Sequence, residues 1–130
     1  MKYSIIVLGA PYSSPSANTA LNFTNALLSS GHTVFRVFFY HEGVQCANHL
    51  AAPPQDEINL PEQWQKLKAQ HNLDLVACIA AGVKRGVLDQ SEAKRHEKEC
   101  SNLSQGFELS GLGQLVEATE QSDRVITFGP

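Results

Sequence analysis

The apolar positions of the chain follow two rhythms. The first is a set of short, nearly continuous apolar runs: Tyr3–Leu8, Thr33–Tyr40, Leu73–Ile79, Phe107–Leu109 and Arg124–Phe128. They are rich in β-branched and aromatic residues and bounded by turn signals, which predicts strands buried on both faces of a sheet. The second is a helical spacing between those runs. Ala20, Phe23, Ala26 and Leu27, widened by Leu21 and Leu28, predict a helix ending near Ser30. Ser16 or Asn18 is expected to cap its start, and Gly31 to take the left-handed position after its end. Leu60, Trp64 and Leu67 share one face of a helix over Leu60–Gln70, with Pro61 in its first turn. Ala80-Ala81-Gly82 opens another helix straight after the central strand. Ser91–Cys100 reads as a polar surface helix, and Leu112, Leu115 and Val116 mark a last helix after Ser110-Gly111.

Strands alternating with helices predict an α/β fold. The expectation is one three-layer domain over residues 1–130, with about five strands in a mainly parallel sheet and helices on both faces. Two stretches interrupt the rhythm. Gly9–Ser16 is a loop rich in serine and proline, and His41–Gln55 is a long loop of the kind that often carries function. Arg36 breaks an otherwise apolar strand, so it must reach water or an acid. Val44 and Leu50 are candidate subunit contacts. The charges of Glu92–Glu99 alternate in sign and read as a solvated helix face.

Composition narrows the function classes. A chain of 130 residues, 42% hydrophobic and 18% charged, buries enough surface to fold without a disulfide or metal staple. A net charge of −3 argues against a sequence-independent grip on nucleic acid, though not against serving RNA chemistry through another protein. No stretch approaches the roughly 20 apolar residues of a membrane span, and the apolar run at Ile5–Leu8 is too short for a secretion leader, so a cytoplasmic protein is expected. Three widely spaced cysteines without a C-x-x-C pair suggest neither a disulfide framework nor a structural zinc site.

Candidate chemistry centres on Cys78, late in the predicted central strand, where open α/β sheets gather their ligands. One reading makes it a small buried hydrophobe. The other makes it reactive: the helix opened by Ala80-Ala81-Gly82 offers free N–H groups, and Lys84 and Arg85 follow closely, all of which favour a thiolate. Lys84, Arg85 and Gly82 are therefore the candidate stabilisers of an anion at Cys78, although either cation alone also fits a solvated surface. Cys46 and Cys100 read as bystanders. His41 and His49 lack metal-ligand spacing but lie on a loop that opens on the same sheet edge as Cys78. The serine-rich turn Gly9–Ser16 offers a competing reading, a small flavin or nucleotide module. Neither G-x-G-x-x-G nor G-x-x-x-x-G-K-[ST] is present, however, and the two prolines remove backbone donors.

Three segments carry a resemblance. V-F-F-Y-H-E-G-V at Val37–Val44, C-I-A-A-G-V-K-R-G-V-L-D at Cys78–Asp89 and S-G-L-G-Q-L-V-E-A at Ser110–Ala118 closely resemble the DsrE/TusD family of sulfurtransferase subunits. The resemblance implies a cytoplasmic protein that carries sulfane sulfur as a persulfide on Cys78 and needs no metal or organic cofactor. In the tRNA branch it implies a heterohexamer with subunits like TusB and TusC, a donor like TusA and an acceptor like TusE, leading to 2-thiouridine at the wobble position. In the sulfur-oxidation branch it implies sister subunits like DsrF and DsrH and exchange with a protein like DsrC. Nothing transfers to Cys46 or Cys100. A third possibility within the same assembly is a scaffold subunit with an inert Cys78. A sulfur relay also calls for Cys78 to lie partly accessible in an acid-poor groove that admits a partner's cysteine.

Overall fold

Every apolar run becomes a strand of one parallel sheet in the computed structural model, which describes all residues from Met1 to Pro130. The strands are β1 (Lys2–Val7), β2 (Thr33–Phe39), β3 (Leu75–Cys78), β4 (Phe107–Ser110) and β5 (Arg124–Phe128), in the order β4-β3-β2-β1-β5. All four pairings are parallel. The helices are α1 (Ser16–Ser29), α2 (Leu60–His71), α3 (Ile79–Lys84), α4 (Gln90–Arg95) and α5 (Gly113–Gln121). This is the single α/β domain that the alternating pattern predicts, with the sheet parallel throughout.

The period of two along each strand assigns the helices to faces. Phe39 meets Trp64 of α2 edge to face at 5.4 Å, and Phe128 meets Phe23 of α1 at 5.4 Å. Val37 and Phe39 pair with Leu75 and Ala77, so these residues line the α1–α2 face. Arg36 points the other way, toward Gln114 and Glu117 of α5. Phe38 pairs with Val76 on that second face, and Cys78, two residues further along β3, shares it.

Arg36 finds its acids. It is buried, its Nε donates to Asp74 Oδ2 at 2.7 Å, and its Nη1 donates to the Gln114 carbonyl at 2.8 Å and to Glu117 Oε1 at 2.9 Å. Burial works against its charge, but the hydrogen bonds and charges of Asp74 and Glu117 outweigh that and raise its pKa above the ordinary value. The guanidinium thus fastens α5 to β2. Replacing both acids (Asp74→Asn with Glu117→Gln) strands a buried cation. Because both carboxylates are themselves part-exposed, the expected loss is about 1–2 kcal/mol, read by urea unfolding, below the usual figure for a fully buried pair.

Local chemistry sets the element ends. Gly31 takes φ 86° after α1, and the N–H groups of Gly31 and His32 bond back to Leu28 and Leu27, as expected of a left-handed C-terminus. The start of α1 differs from expectation. Pro15 precedes it with no side-chain cap, while the Ser14 hydroxyl accepts from the Ser16 N–H. Asn59 and Asp89 cap α2 and α4 instead. Helix α4 stops at Arg95, well short of Cys100, because Glu97 enters the left-handed region at φ 55° and Lys98 donates back to the Ala93 carbonyl at 2.8 Å. The start of the long loop after β2 is also more ordered than the pattern suggests: His41–Ala47 winds as a 3₁₀ helix. Val44 lies in it fully buried, so it is a core residue and not a subunit contact; Leu50 is exposed.

Candidate active site

Strand β3 passes into α3 without an intervening loop, and Cys78 is the junction. Its backbone is extended (φ −62°, ψ 122°), and it occupies the position just ahead of the helix. Helix geometry leaves the N–H groups of Ile79, Ala80 and Ala81 without intrahelical partners. The N–H of Gly82 is the first to find one. Gly82 is buried, and a Cβ there would press on the Val87 carbonyl and Leu109. It backs the site as a packing residue and does not wall the cavity.

A cavity of about 210 Å³ lies against Cys78. Tyr40 and His41 wall it from the end of β2, Lys84 and Arg85 from the end of α3, and Gly111-Leu112 from the lead into α5. The space is several times the ~30 Å³ share of a water molecule, enough for an outer sulfur and a thiol approaching it. Larger clefts of about 440, 530 and 590 Å³ lie elsewhere, and none contains a cysteine.

Cys78 itself is only 2% exposed. This corrects the expectation of a partly accessible thiol: Cys78 reaches the cavity without reaching the outer surface. The covering residues explain why. Half-buried Tyr40 and the Gly111-Leu112 segment are apolar walls that no cysteine-centred motif announces, though Tyr40 directly follows a strand of the same sheet edge.

The two cations play different parts. Arg85 donates from Nε to Glu42 Oε1 at 2.7 Å and from Nη1 to the Ala81 carbonyl at 3.2 Å, while its own carbonyl accepts from Gln45 Nε2 at 3.2 Å. It ties the 3₁₀ helix to α3, and Glu42 compensates much of its charge. The surroundings are thus less acid-poor than the sequence suggests. Lys84 is exposed and in no ion pair, which makes it the uncompensated fixed cation of the cavity.

The remaining candidates lie apart. Cys100 is exposed in the segment beyond α4, and His49 walls a different cleft, with Glu62 and Gln65. Ser13 and Ser14 of the Gly9–Ser16 loop share a third cleft with Asp56 and Glu57, a poor setting for phosphate. Cys46 is fully buried, and desolvation pushes its thiol up to about 12, from an ordinary 9.0. It stays protonated at neutral pH and should resist alkylation in the folded protein, while Cys100 is modified; peptide mass mapping checks this. The raised value also gives alkaline pH a sign. Below about 9 the buried thiol is neutral in both folded and unfolded chains. Between 9 and 12 only the unfolded chain ionises, so this residue costs the fold about 1.4 kcal/mol per pH unit. Cys46→Ala should lose less stability than the unchanged protein on going from pH 8 to pH 10.

Fold and site together define a small α/β protein with a cysteine and a cation-flanked cavity at the carboxyl edge of a parallel sheet. Comparison with known proteins places it. The model of the DsrE/DsrF-like family matches residues 1–128, and the chain belongs to that family. It is 48% identical over 128 residues to the sulfurtransferase TusD of Salmonella dublin, covering 98% of this chain and 100% of that one. It is 43% identical over 129 residues to the DsrE sulfurtransferase of Allochromatium vinosum, covering 99% of both. The crystal structure of the ychN protein from E. coli superposes with a TM-score of 0.76 at 26% identity, over 98% of this chain and 100% of that one. The activity class is accordingly sulfur transfer. No helix is long and apolar enough to cross a membrane.

Proposed function

We propose that this chain, as a single domain over residues 1–130, carries sulfane sulfur as a persulfide on Cys78 and passes it between partner proteins in the cytoplasm. The supporting observation is the cavity against Cys78, with Lys84 on its wall and the free N–H groups of α3 at its base. A persulfide hands on its outer sulfur when an acceptor thiolate attacks that atom and the inner sulfur leaves as a thiolate. Groups that stabilise an anion at Cys78 therefore help discharge as well as loading. Lys84 supplies the fixed charge, and Arg85 holds the 3₁₀ helix in place beside it. Partners resembling TusB and TusC would form the assembly, with a donor like TusA and an acceptor like TusE. Relatives from both branches match nearly the whole chain, TusD at 48% and DsrE at 43% identity; we take delivery toward 2-thiouridine at the tRNA wobble position as the first reading and sulfur oxidation as the second. Two measurements test this. Mass spectrometry after incubation with a persulfide donor should map one added sulfur to Cys78; sulfur on another residue, or none, overturns the carrier reading. Loss of the gene should deplete 2-thiouridine in tRNA, and unchanged tRNA would move the protein to the other branch.

A further inference from the structure

We propose that His41 is the proton carrier of the transfer step. The proposal rests on the carrier reading above and names a residue that reading does not use. His41 walls the same cavity as Cys78 and Lys84. Its placement is built and not incidental. The backbone takes φ 50°, a left-handed conformation uncommon outside glycine, for which asparagine, aspartate and histidine are the side chains most often used. Both flanks hold it there. The Tyr40 N–H donates to the Val7 carbonyl at 2.9 Å, the Gly43 N–H donates to the Tyr40 carbonyl at 2.8 Å, and Glu42 is pinned by Arg85. The imidazole stacks on the Tyr40 ring at 4.3 Å with 23° between planes. An exposed histidine gains little stability from such a conformation, and backbone held in sparsely populated regions gathers at functional sites.

The chemistry of the cavity lacks one thing that His41 supplies. Lys84 and Arg85 supply fixed charge, Cys78 is the sulfur carrier itself, and His41 is the one imidazole on the cavity wall. Persulfide transfer moves a proton at both ends. The acceptor thiol must lose one to attack, and Cys78 leaves as an anion. In the proposed step the neutral imidazole takes the proton of the acceptor thiol. The acceptor sulfur forms a bond to the outer sulfur of the protonated Cys78 persulfide, and the bond between the two Cys78-borne sulfurs breaks. The acceptor departs as its own persulfide, and the imidazolium returns its proton to the Cys78 thiolate. Nothing is oxidised or reduced overall, and no other reactant is needed. The charged and titratable groups around His41 are Glu42 and Tyr40 on its own segment, Lys84 and Arg85 on α3 and Cys78 on β3; Gly111-Leu112 adds none.

The test follows discharge from pre-loaded protein to free cysteine as acceptor. His41→Gln and His41→Arg, loaded to completion with excess donor, should end with sulfur on Cys78, since that end point needs only the thiol, yet discharge about 10²-fold more slowly at pH 7.5. The unchanged protein's rate should rise and level off across about pH 5–8, where imidazoles give up their protons, while the variants' rates go on rising with the acceptor's own ionisation, so the ratio of unchanged to variant rate falls toward alkaline pH. Added imidazole should restore part of the rate to His41→Ala. Unchanged discharge in His41→Gln overturns the proposal, and so does unchanged discharge in His41→Arg, whose guanidinium neither gives up nor takes a proton near neutral pH. Absence of sulfur on Cys78 in the unchanged protein is a different failure: it removes the carrier reading itself.

Discussion

Cys78→Ser should take up no sulfur from a persulfide donor and deliver none. The expected loss is complete, because a serine oxygen cannot hold a sulfane sulfur and is a far poorer nucleophile and leaving group than a thiolate. The variant should still fold. Serine is close in size, and leaving a buried hydroxyl without a partner costs about 1–3 kcal/mol, against the roughly 5–15 kcal/mol by which domains are stable. Circular dichroism and urea unfolding establish that the loss is chemical. Two further variants make the result specific. Cys100→Ser removes an exposed thiol and Cys46→Ala a buried one, and both should load as the unchanged protein does. Sulfur still bound to Cys78→Ser would identify one of those two residues as the carrier and leave the cavity beside β3 without a role. Lys84→Gln belongs between these extremes: loading should persist and discharge should slow, because only the fixed charge beside the leaving thiolate is lost.

The fold was legible in the sequence because strand and helix leave different periods in the apolar positions, and here the two alternate cleanly. The position of Cys78 followed from the same signal, since the carboxyl end of a central parallel strand is a fixed place in space. What could not be read is set by contacts between distant segments. The 3₁₀ helix at His41–Ala47 has no amphipathic repeat of its own. It forms where Gly43 packs on the Val7 backbone and Arg85 reaches Glu42, forty-three positions away. The burial of Cys78 is of the same kind, for Tyr40 and Leu112 come to it from β2 and from the lead into α5. The motif points to Gly82 for anion binding, but helix geometry gives its N–H a partner and the crowding of Val87 and Leu109 gives it a packing role. Helix α4 ends early through Glu97 in a left-handed conformation, a job that the sequence would sooner give to glycine.

Gly43→Ala should damage both the fold and the transfer, for one geometric reason. Gly43 is buried, and a Cβ there would enter the van der Waals shell of the Val7 carbonyl carbon and oxygen, with the Leu8 nitrogen close behind. All three are backbone atoms of the segment ending β1, so no rotamer change relieves the clash. The same Val7 oxygen accepts from the Tyr40 N–H at 2.9 Å. Moving it drags on the residues that wall the Cys78 cavity. The expected cost is about 3 kcal/mol, the upper end of what overpacking usually brings, seen as a lower urea midpoint with little change in slope. Discharge from Cys78 should also slow, by ten-fold or more, because misplacing a working group by about 1 Å can cost 10²-fold. Gly113→Ala is the contrasting case. Its Cβ would meet nothing within 4 Å, and stability should stay within about 0.5 kcal/mol of the unchanged protein. If Gly43→Ala matched the unchanged protein in both urea midpoint and discharge rate, the close approach of the 3₁₀ helix to β1 would not be what fixes Tyr40 and His41 over the thiol.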